Sequence, residues 1–484
     1  MFLYIETGGS MLVKRTDMIV RTLSGERYTP FTLAHKLGAK GILESVSSTH
    51  GKDRYSLLLL QEAFRIVQEV DQVVLLVEGE RVRCDSHDIL EVVAAIASQN
   101  VLPQGGMPIP GAGIGYLGYR YCQRCDTITL AQQEDTIGIP ESQFIVGHVY
   151  IVFDHFTDTL HLFGLNYQEH MIDLDAAIQQ IMNRLEDLDF SYLAPPQKAQ
   201  PVVVDTDLDR SHQQFISQVK TIKEDIVAGN LLQAVLSRRL VLRSDEQAMA
   251  VYRRLRSQNP SPYLFLLDFD DYQLVGASPE SIVRVRDGIA SIRPIAGTRR
   301  RGKNTAEDEQ LKQELLEDPK ELSEHLMLVD LARNDLGRVS VPGSVRVTRN
   351  MDVEYFSHVM HIVSDVVGQI DPVAYRPIDV LKSAFPAGTV SGAPKIAAIE
   401  RLSELETEER SFYGGAVGYI EPDGDLDFCI SIRCALKKQS AWILQAGAGI
   451  VYASTPEREW EETEEKLAVL QRVLTGGEHD HFTR

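Results

Sequence analysis

Apolar side chains dominate residues 149–156 and again 159–163, with only Thr157 and Asp158 between them. That pattern predicts two strands around a short turn. Residues 173–188 and 211–227 instead repeat their apolar positions at helical spacing, and in the second stretch Phe215, Val219, Ile222 and Ile226 share one face. Strand-like runs return at 264–269 and 273–276. Two later helices are marked at their starts. Asp318 precedes Pro319 as a cap before a first-turn proline, and Thr455-Pro456 opens a Glu-rich stretch with Trp460, Leu467, Leu470 and Leu474 on its apolar side. Residues 194–201, APPQKAQP, form the best linker in the chain, because proline blocks both helix and ladder. Strands and helices intermingle without a βαβ rhythm, so the expected class is α+β, antiparallel sheets flanked by helices in two lobes. The expected division is 1–193, a linker at 194–204, a second region at 205–475 and a polar tail at 476–484.

Composition narrows the field. The chain has 484 residues, with Lys plus Arg 49 against Asp plus Glu 69 and a net charge of −20. So acidic a balance offers no basic stripe to a nucleic acid or an anionic membrane. With 44% hydrophobic and 24% charged residues the chain is expected to fold rather than stay disordered. Its longest apolar runs, such as 57–60 and 73–77, fall far short of a membrane span, and the opening MFLYIETGGSMLVKR places its charges after its apolar residues, unlike a secretory signal. A cytoplasmic protein is expected. The five cysteines, Cys84, Cys122, Cys125, Cys429 and Cys434, are odd in number and thinly spread, which suits a reducing compartment. Cys122 and Cys125 have CxxC spacing, but no second pair completes a zinc site, so ordinary thiols are expected.

Candidate chemistry lies mostly in the second half. Glu321 with Glu324, and Glu459 with Glu462, are i,i+3 pairs in the first turns of the two marked helices, which puts each pair on one face. Facing each other, they would offer oxygen ligands to a hard cation such as Mg²⁺. Acids at a helix start also serve as caps or complement the dipole, and spacing alone leaves both roles open. Glycine clusters at Gly297, Gly388, Gly414-Gly415 and Gly447-Ala448-Gly449 match no P-loop or dinucleotide fingerprint; they suit either tight turns or a close approach of backbone to an anion. His361 interrupts an apolar strand-like run, as a core histidine or a proton shuttle. Glu280 follows a strand, as a cap or an acid with a pKa raised by desolvation. Arg433, alternating with apolar residues, suits a carboxylate or an internal partner.

Together these stretches resemble a known family. PIAGTR (294–299), ELSEHLMLVDLARND (321–335), GTVSGAPK (388–395), YGGAVG (413–418) and QAGAG (445–449) are similar to the chorismate-utilising enzymes, most closely to the large subunits of anthranilate synthases. The likeness is dense from about residue 215 to 474 and keeps the family's order. It implies a chorismate-binding fold and a Mg²⁺-dependent lyase that opens tryptophan biosynthesis, making anthranilate and pyruvate from chorismate and ammonia. By the same resemblance Mg²⁺ sits among Glu324 and Glu462, with Glu321 and Glu459 close by or acting through water. Gly297, Thr298, Tyr413, Arg433, Gly447, Ala448 and Gly449 bind the substrate. Glu280 protonates the leaving C4 hydroxyl, His361 is tied to the elimination of pyruvate, and Thr389 lies beside the ring.

Two departures discriminate among the relatives. Isochorismate and salicylate synthases carry a water-activating Lys where this chain has Gln233, and aminodeoxychorismate synthases usually carry a nucleophilic Lys where it has Ala296. Neither replacement can do that chemistry, so ammonia is the expected nucleophile. The first half resembles the family less densely, but Ser45, Pro262, Tyr263 and Leu264 match the segments that hold tryptophan for feedback inhibition; a plain packing contact between regions is the other reading. Leu264 and Ile42 replace the family's frequent Met and Leu, exchanges that conserve volume. No glutaminase machinery is visible, so a separate glutamine amidotransferase subunit is expected to supply ammonia, in a heterotetramer. The rival expectations are an enzyme stopping at 2-amino-2-deoxyisochorismate, an aminodeoxychorismate or isochorismate/salicylate synthase, and a non-catalytic binder of chorismate or tryptophan.

Overall fold

The structure, a computed structural model, describes residues 15–45, 54–99, 107–167, 170–187, 199–355 and 359–477. Among them every pairing between strands is antiparallel. The mixed α+β architecture follows from the sequence pattern. The Ser142–Asp154 strand is buried along its whole length, so both of its faces are covered.

The first half is hydrogen-bonded into the second. Gly41–Glu44 pairs with Tyr263–Asp268, and Ile114–Leu117 pairs with Ala416–Ile420. The Gln233–Arg243 strand lies against Ala441–Ile450 over ten residue pairs, from Ala234↔Ile450 to Arg243↔Ala441. On one face of this ribbon Ala234, Leu236, Ala448 and Ile450 pack with Phe215, Val219 and Ile222 of the Leu208–Val227 helix. Burying a side chain such as Phe215 contributes roughly 1.5–3 kcal/mol. The opposite face carries Gln233, Val235, Ser237, Gly447 and Gly449, since directly paired residues share a face.

Two helices close over the sheet. Pro319–Gly337 packs on the Ile295–Arg300 and Val359–Gln369 strands, and Pro456–Leu474 packs on Ala441–Ile450. Asp318 caps the first by accepting from the backbone N–H groups of Lys320 and Glu321, while Pro319 fills a first-turn position needing no donor. Glu321 does not complete a capping box; its carboxylate pairs with Arg299 at 3.3 Å.

Local expectations shift in several places. The strands expected at 149–156 and 159–163 are Ser142–Asp154 and Thr159–Tyr167, joined by a longer turn in which Asp158 takes φ 48°. The helix expected at 211–227 begins at Leu208 under an Asp207 cap. Val203–Val204, within the expected linker, forms a short strand against Leu242 and Arg243, while 188–198 and 478–484 lie outside the described residues. Arg433 is not in a strand: Leu426–Ile430 ends before it, Cys434–Lys438 begins after it, and it takes φ 49° in the bend. Cys122 lies in a 3₁₀ helix, Tyr119–Arg124, with Cys125 at its end; both thiols are free, and burial pushes that of Cys122 up to about 12. No described helix is long and apolar enough to cross a membrane.

Candidate active site

Glu280 sits at the turn between Gln273–Ser278 and Ser281–Arg286, its carbonyl accepting from Ile430 N–H at 3.0 Å. Its carboxyl accepts a 2.9 Å hydrogen bond from the Thr389 hydroxyl. Burial raises the carboxyl's pKa, opposed by that bond and by the positive charges of Arg433 and Lys466. Glu280 and Thr389 also line a small cavity of about 40 Å³ with Asp335, whose carboxylate is paired with Lys395 at 2.8 Å.

His361 lies on Val359–Gln369, in register with Thr298 on Ile295–Arg300. Its Nδ1 is 3.1 Å from the Gly297 carbonyl oxygen and 3.1 Å from Thr298 Oγ1. Burial lowers the pKa of the imidazole; the Gly297 bond opposes this, Arg433 reinforces it and Glu354 opposes it. Gly297 has φ 69°, and a β-carbon there would approach Glu321 Oε2 to 3.3 Å. The histidine strand and the acidic helix therefore meet at one glycine.

The glycine-rich strand supplies the opposite wall. A β-carbon at Gly447 would lie 3.1 Å from the Tyr413 hydroxyl, and one at Gly449 would collide with the Gln233 amide at 2.6 Å. Ala448 turns its methyl group into the core on the other face, so it offers this wall backbone only. Burial raises Tyr413 to about 12, which keeps the phenol a hydrogen-bond donor. Arg433 is lowered by burial and supported by Tyr413, Glu280 and Glu462; no hydrogen bond of its side chain to the described residues is present, so its donor fork remains available to an anion.

The four glutamates gather from two helices. Burial raises Glu324, and Glu321 and Glu462 raise it further, while Lys320 and Lys466 oppose. Burial also raises Glu459, opposed by Ser454 and reinforced by Glu462. Charge repulsion links Glu324 to Glu321 and Glu462, and Glu459 to Glu462, so the two helices bring these acids near one another. Among the described residues no three ligating side chains converge tightly enough to coordinate an ion by themselves. An all-oxygen set of this kind fits a hard cation that keeps several waters.

Sequence reasoning missed two contributors. Lys466 pairs with Glu462 at 2.7 Å and donates to the Gly447 carbonyl at 2.7 Å, tying the acidic helix to the glycine strand. Its i,i+4 spacing from Glu462 was the available signal. His325 sits fully buried beside Glu324 with Nε2 2.7 Å from Ser364 Oγ, and burial lowers its pKa to about 4; it pins the acidic helix to the His361 strand.

Ser45, Pro262, Tyr263 and Leu264 come together elsewhere, lining a cavity of about 400 Å³ with Phe156, Arg284 and Asp427. The Tyr263 hydroxyl donates to Asp427 at 2.9 Å, and Arg284 faces the same carboxylate at 3.5 Å.

The family model for chorismate binding enzymes matches residues 49–472. An anthranilate synthase component 1 from Spirochaeta aurantia is 50% identical over 98% of this chain and 99% of its own length. One from Aquifex aeolicus is 37% identical over 95% and 94%. The crystal structure of anthranilate synthase component I from Streptococcus pneumoniae superposes with a TM-score of 0.77 at 36% identity, covering 86% of this chain and 92% of that one. The menaquinone-specific isochorismate synthase of Escherichia coli, at 18% identity and TM-score 0.71, shares the fold. Matched by that family model over most of its length and by relatives over nearly all of it, the chain belongs to the chorismate-binding enzyme family, in the branch of the anthranilate synthase component 1 proteins.

Proposed function

We propose that this chain converts chorismate and ammonia to anthranilate and pyruvate, the first committed step of tryptophan synthesis. The observation that carries the reading is a desolvated carboxyl and a desolvated imidazole, both acted on by Arg433 and shifted in opposite directions. Glu280 is raised toward the acid form and His361 is lowered toward the neutral base. An addition that expels hydroxide needs the first, and a proton abstraction needs the second.

Ammonia adds at C2 of the ring as the C4 hydroxyl departs. Hydroxide is a poor leaving group, so Glu280 gives it a proton, with Thr389 holding the carboxyl in place. His361 then takes the C2 proton, the enolpyruvyl group leaves as pyruvate, and the ring becomes aromatic. Arg433, Tyr413 and the backbone of Gly447, Ala448 and Gly449 hold the substrate carboxylates, and Gly297 with Thr298 lines the same space. Gln233 stands where a water-activating base would be needed for isochorismate, and its neutral amide cannot serve.

Glu321, Glu324, Glu459 and Glu462 would hold the Mg²⁺, partly through water, and the ion would supply positive charge to a dianionic substrate in a protein of net charge −20. The ammonia would come from a glutamine amidotransferase subunit, in a heterotetramer, within the cytoplasm.

Residues 1–193 would contribute the regulatory region and 205–475 the catalytic one. Tryptophan would occupy the 400 Å³ cavity at Ser45, Pro262, Tyr263 and Leu264. Its lining joins apolar surface to Asp427 and Arg284, which suits an aromatic zwitterion. Cys429 lines that cavity and pairs with Ser281, one residue after Glu280, so occupancy can be felt at the acid. Incubating the isolated chain with chorismate, Mg²⁺ and ammonium salt tests the reading: anthranilate and pyruvate in equal amounts support it, and their absence with folded protein rejects it.

A further inference from the structure

The Ile295–Arg300 strand does not run evenly along its partner. Ala296 pairs with Ile362 and Thr298 with His361, so Gly297 is one residue too many and forms a β-bulge. Its φ of 69° belongs to the left-handed region, which glycine enters without the penalty a β-carbon carries. The bulge brings the Gly297 carbonyl oxygen within 3.1 Å of His361 Nδ1.

A carbonyl oxygen only accepts, so the nitrogen facing it must carry the hydrogen. Thr298 Oγ1, 3.1 Å from the same nitrogen, adds a second acceptor on that side. The hydrogen bond at one ring nitrogen sets the state of the other. With hydrogen on Nδ1, the basic lone pair of neutral His361 belongs to Nε2.

Glu354, on the Arg346–Tyr355 strand, is in register with His361, but both Arg293 and Arg349 donate to its Oε1. Arg433 also acts on the ring, and its side chain has no acceptor.

We propose that the Gly297 bulge is a tautomer lock: its backbone carbonyl fixes the proton on His361 Nδ1 and so selects Nε2 as the base for the elimination step. This rests on the reaction proposed above and makes Gly297 a positioning residue. In the step, Nε2 takes the C2 proton, the C2–H electron pair forms the C2–C3 double bond, and the C3–O bond breaks with its pair leaving on enolpyruvate. The proton then passes from the imidazolium to that enolate, giving pyruvate and returning His361 to its starting tautomer.

The test is spectroscopic and needs no turnover. The full chain is labelled with ¹⁵N-histidine, and long-range ¹H–¹⁵N spectra are recorded near neutral pH, with His361 assigned by its disappearance in His361→Asn. The lock predicts a protonated-type Nδ1 and an unprotonated, pyridine-type Nε2. The reverse assignment, or two equal shifts from exchanging tautomers, overturns it. A second measurement uses Gly297→Ala, checked for folding by circular dichroism. The pyruvate released per chorismate consumed should fall by about 10²-fold as 2-amino-2-deoxyisochorismate accumulates. An unchanged ratio in folded Gly297→Ala overturns the lock. Failure of wild-type chain to make anthranilate would reject the proposed reaction instead, and the nitrogen shifts would still report the tautomer.

Discussion

The Thr389 hydroxyl donates to Glu280 Oε2 at 2.9 Å, and it is the strongest of the contacts opposing the burial that raises this carboxyl. Thr389→Val removes the opposition, so the Glu280 pKa should rise further. If Glu280 is the acid, the alkaline limb of the kcat/KM profile should shift to higher pH in that variant. Glu280→Gln should lose about 10²–10⁴-fold in kcat. An unmoved alkaline limb in folded Thr389→Val would assign the limb to another group.

Glu324 and Glu459 have raised pKa values in the fold, so between their ordinary and raised values the folded chain binds more protons than the unfolded chain. Metal-free protein should therefore lose stability as pH rises through that window, and the loss should be complete above the raised values. Mg²⁺ should offset it, raising the melting temperature more at pH 8 than at pH 5. At a hundred times its Kd the ion stabilises by about 2.7 kcal/mol. Glu324→Gln and Glu462→Gln should each shrink this gain, and a chelator should abolish turnover. A melting temperature indifferent to Mg²⁺ at both pH values would count against the acidic site.

Tryptophan should raise the melting temperature and inhibit the wild-type chain. Ser45→Leu, which crowds the cavity beside Tyr263 and Leu264, should weaken both effects by tenfold or more, about 1.4 kcal/mol, while kcat without tryptophan stays within about twofold. Inhibition that survives this substitution would place the effector elsewhere.

Asp335 is buried and Lys395 partly so, with their charged atoms 2.8 Å apart. Lys395→Met leaves the buried carboxylate with only the more distant charge of Arg338 and should cost up to about 3 kcal/mol in chemical denaturation. Lys395→Met combined with Asp335→Asn should recover most of that loss. A double variant no better than the single would mean that Lys395 acts through packing.

Much of this architecture was legible because local rules and the fold agree. Asp318 and Pro319 mark a helix start, and Phe215, Val219 and Ile222 mark a buried helix face. The bend at Arg433, with φ 49°, was not legible, because an alternation of apolar residues does not report a turn. The boundary near residue 203 was blurred because a two-residue strand carries too little pattern to read. The grouping of Glu280, His361 and the four glutamates came from resemblance to a family. Periodicity reports which face a residue occupies but not which distant faces meet. Lys466 went unnoticed because a lysine four residues after a glutamate is ordinary on any exposed helix.

The most direct test of the central claim is the product mixture from one ammonia-dependent reaction, identified by mass. Folded chain, chorismate, Mg²⁺ and ammonium salt should yield anthranilate and pyruvate one for one, and His361→Asn should yield 2-amino-2-deoxyisochorismate with little pyruvate. Isochorismate, salicylate or 4-amino-4-deoxychorismate from the wild-type chain, or tight binding of chorismate with no turnover, would contradict the account.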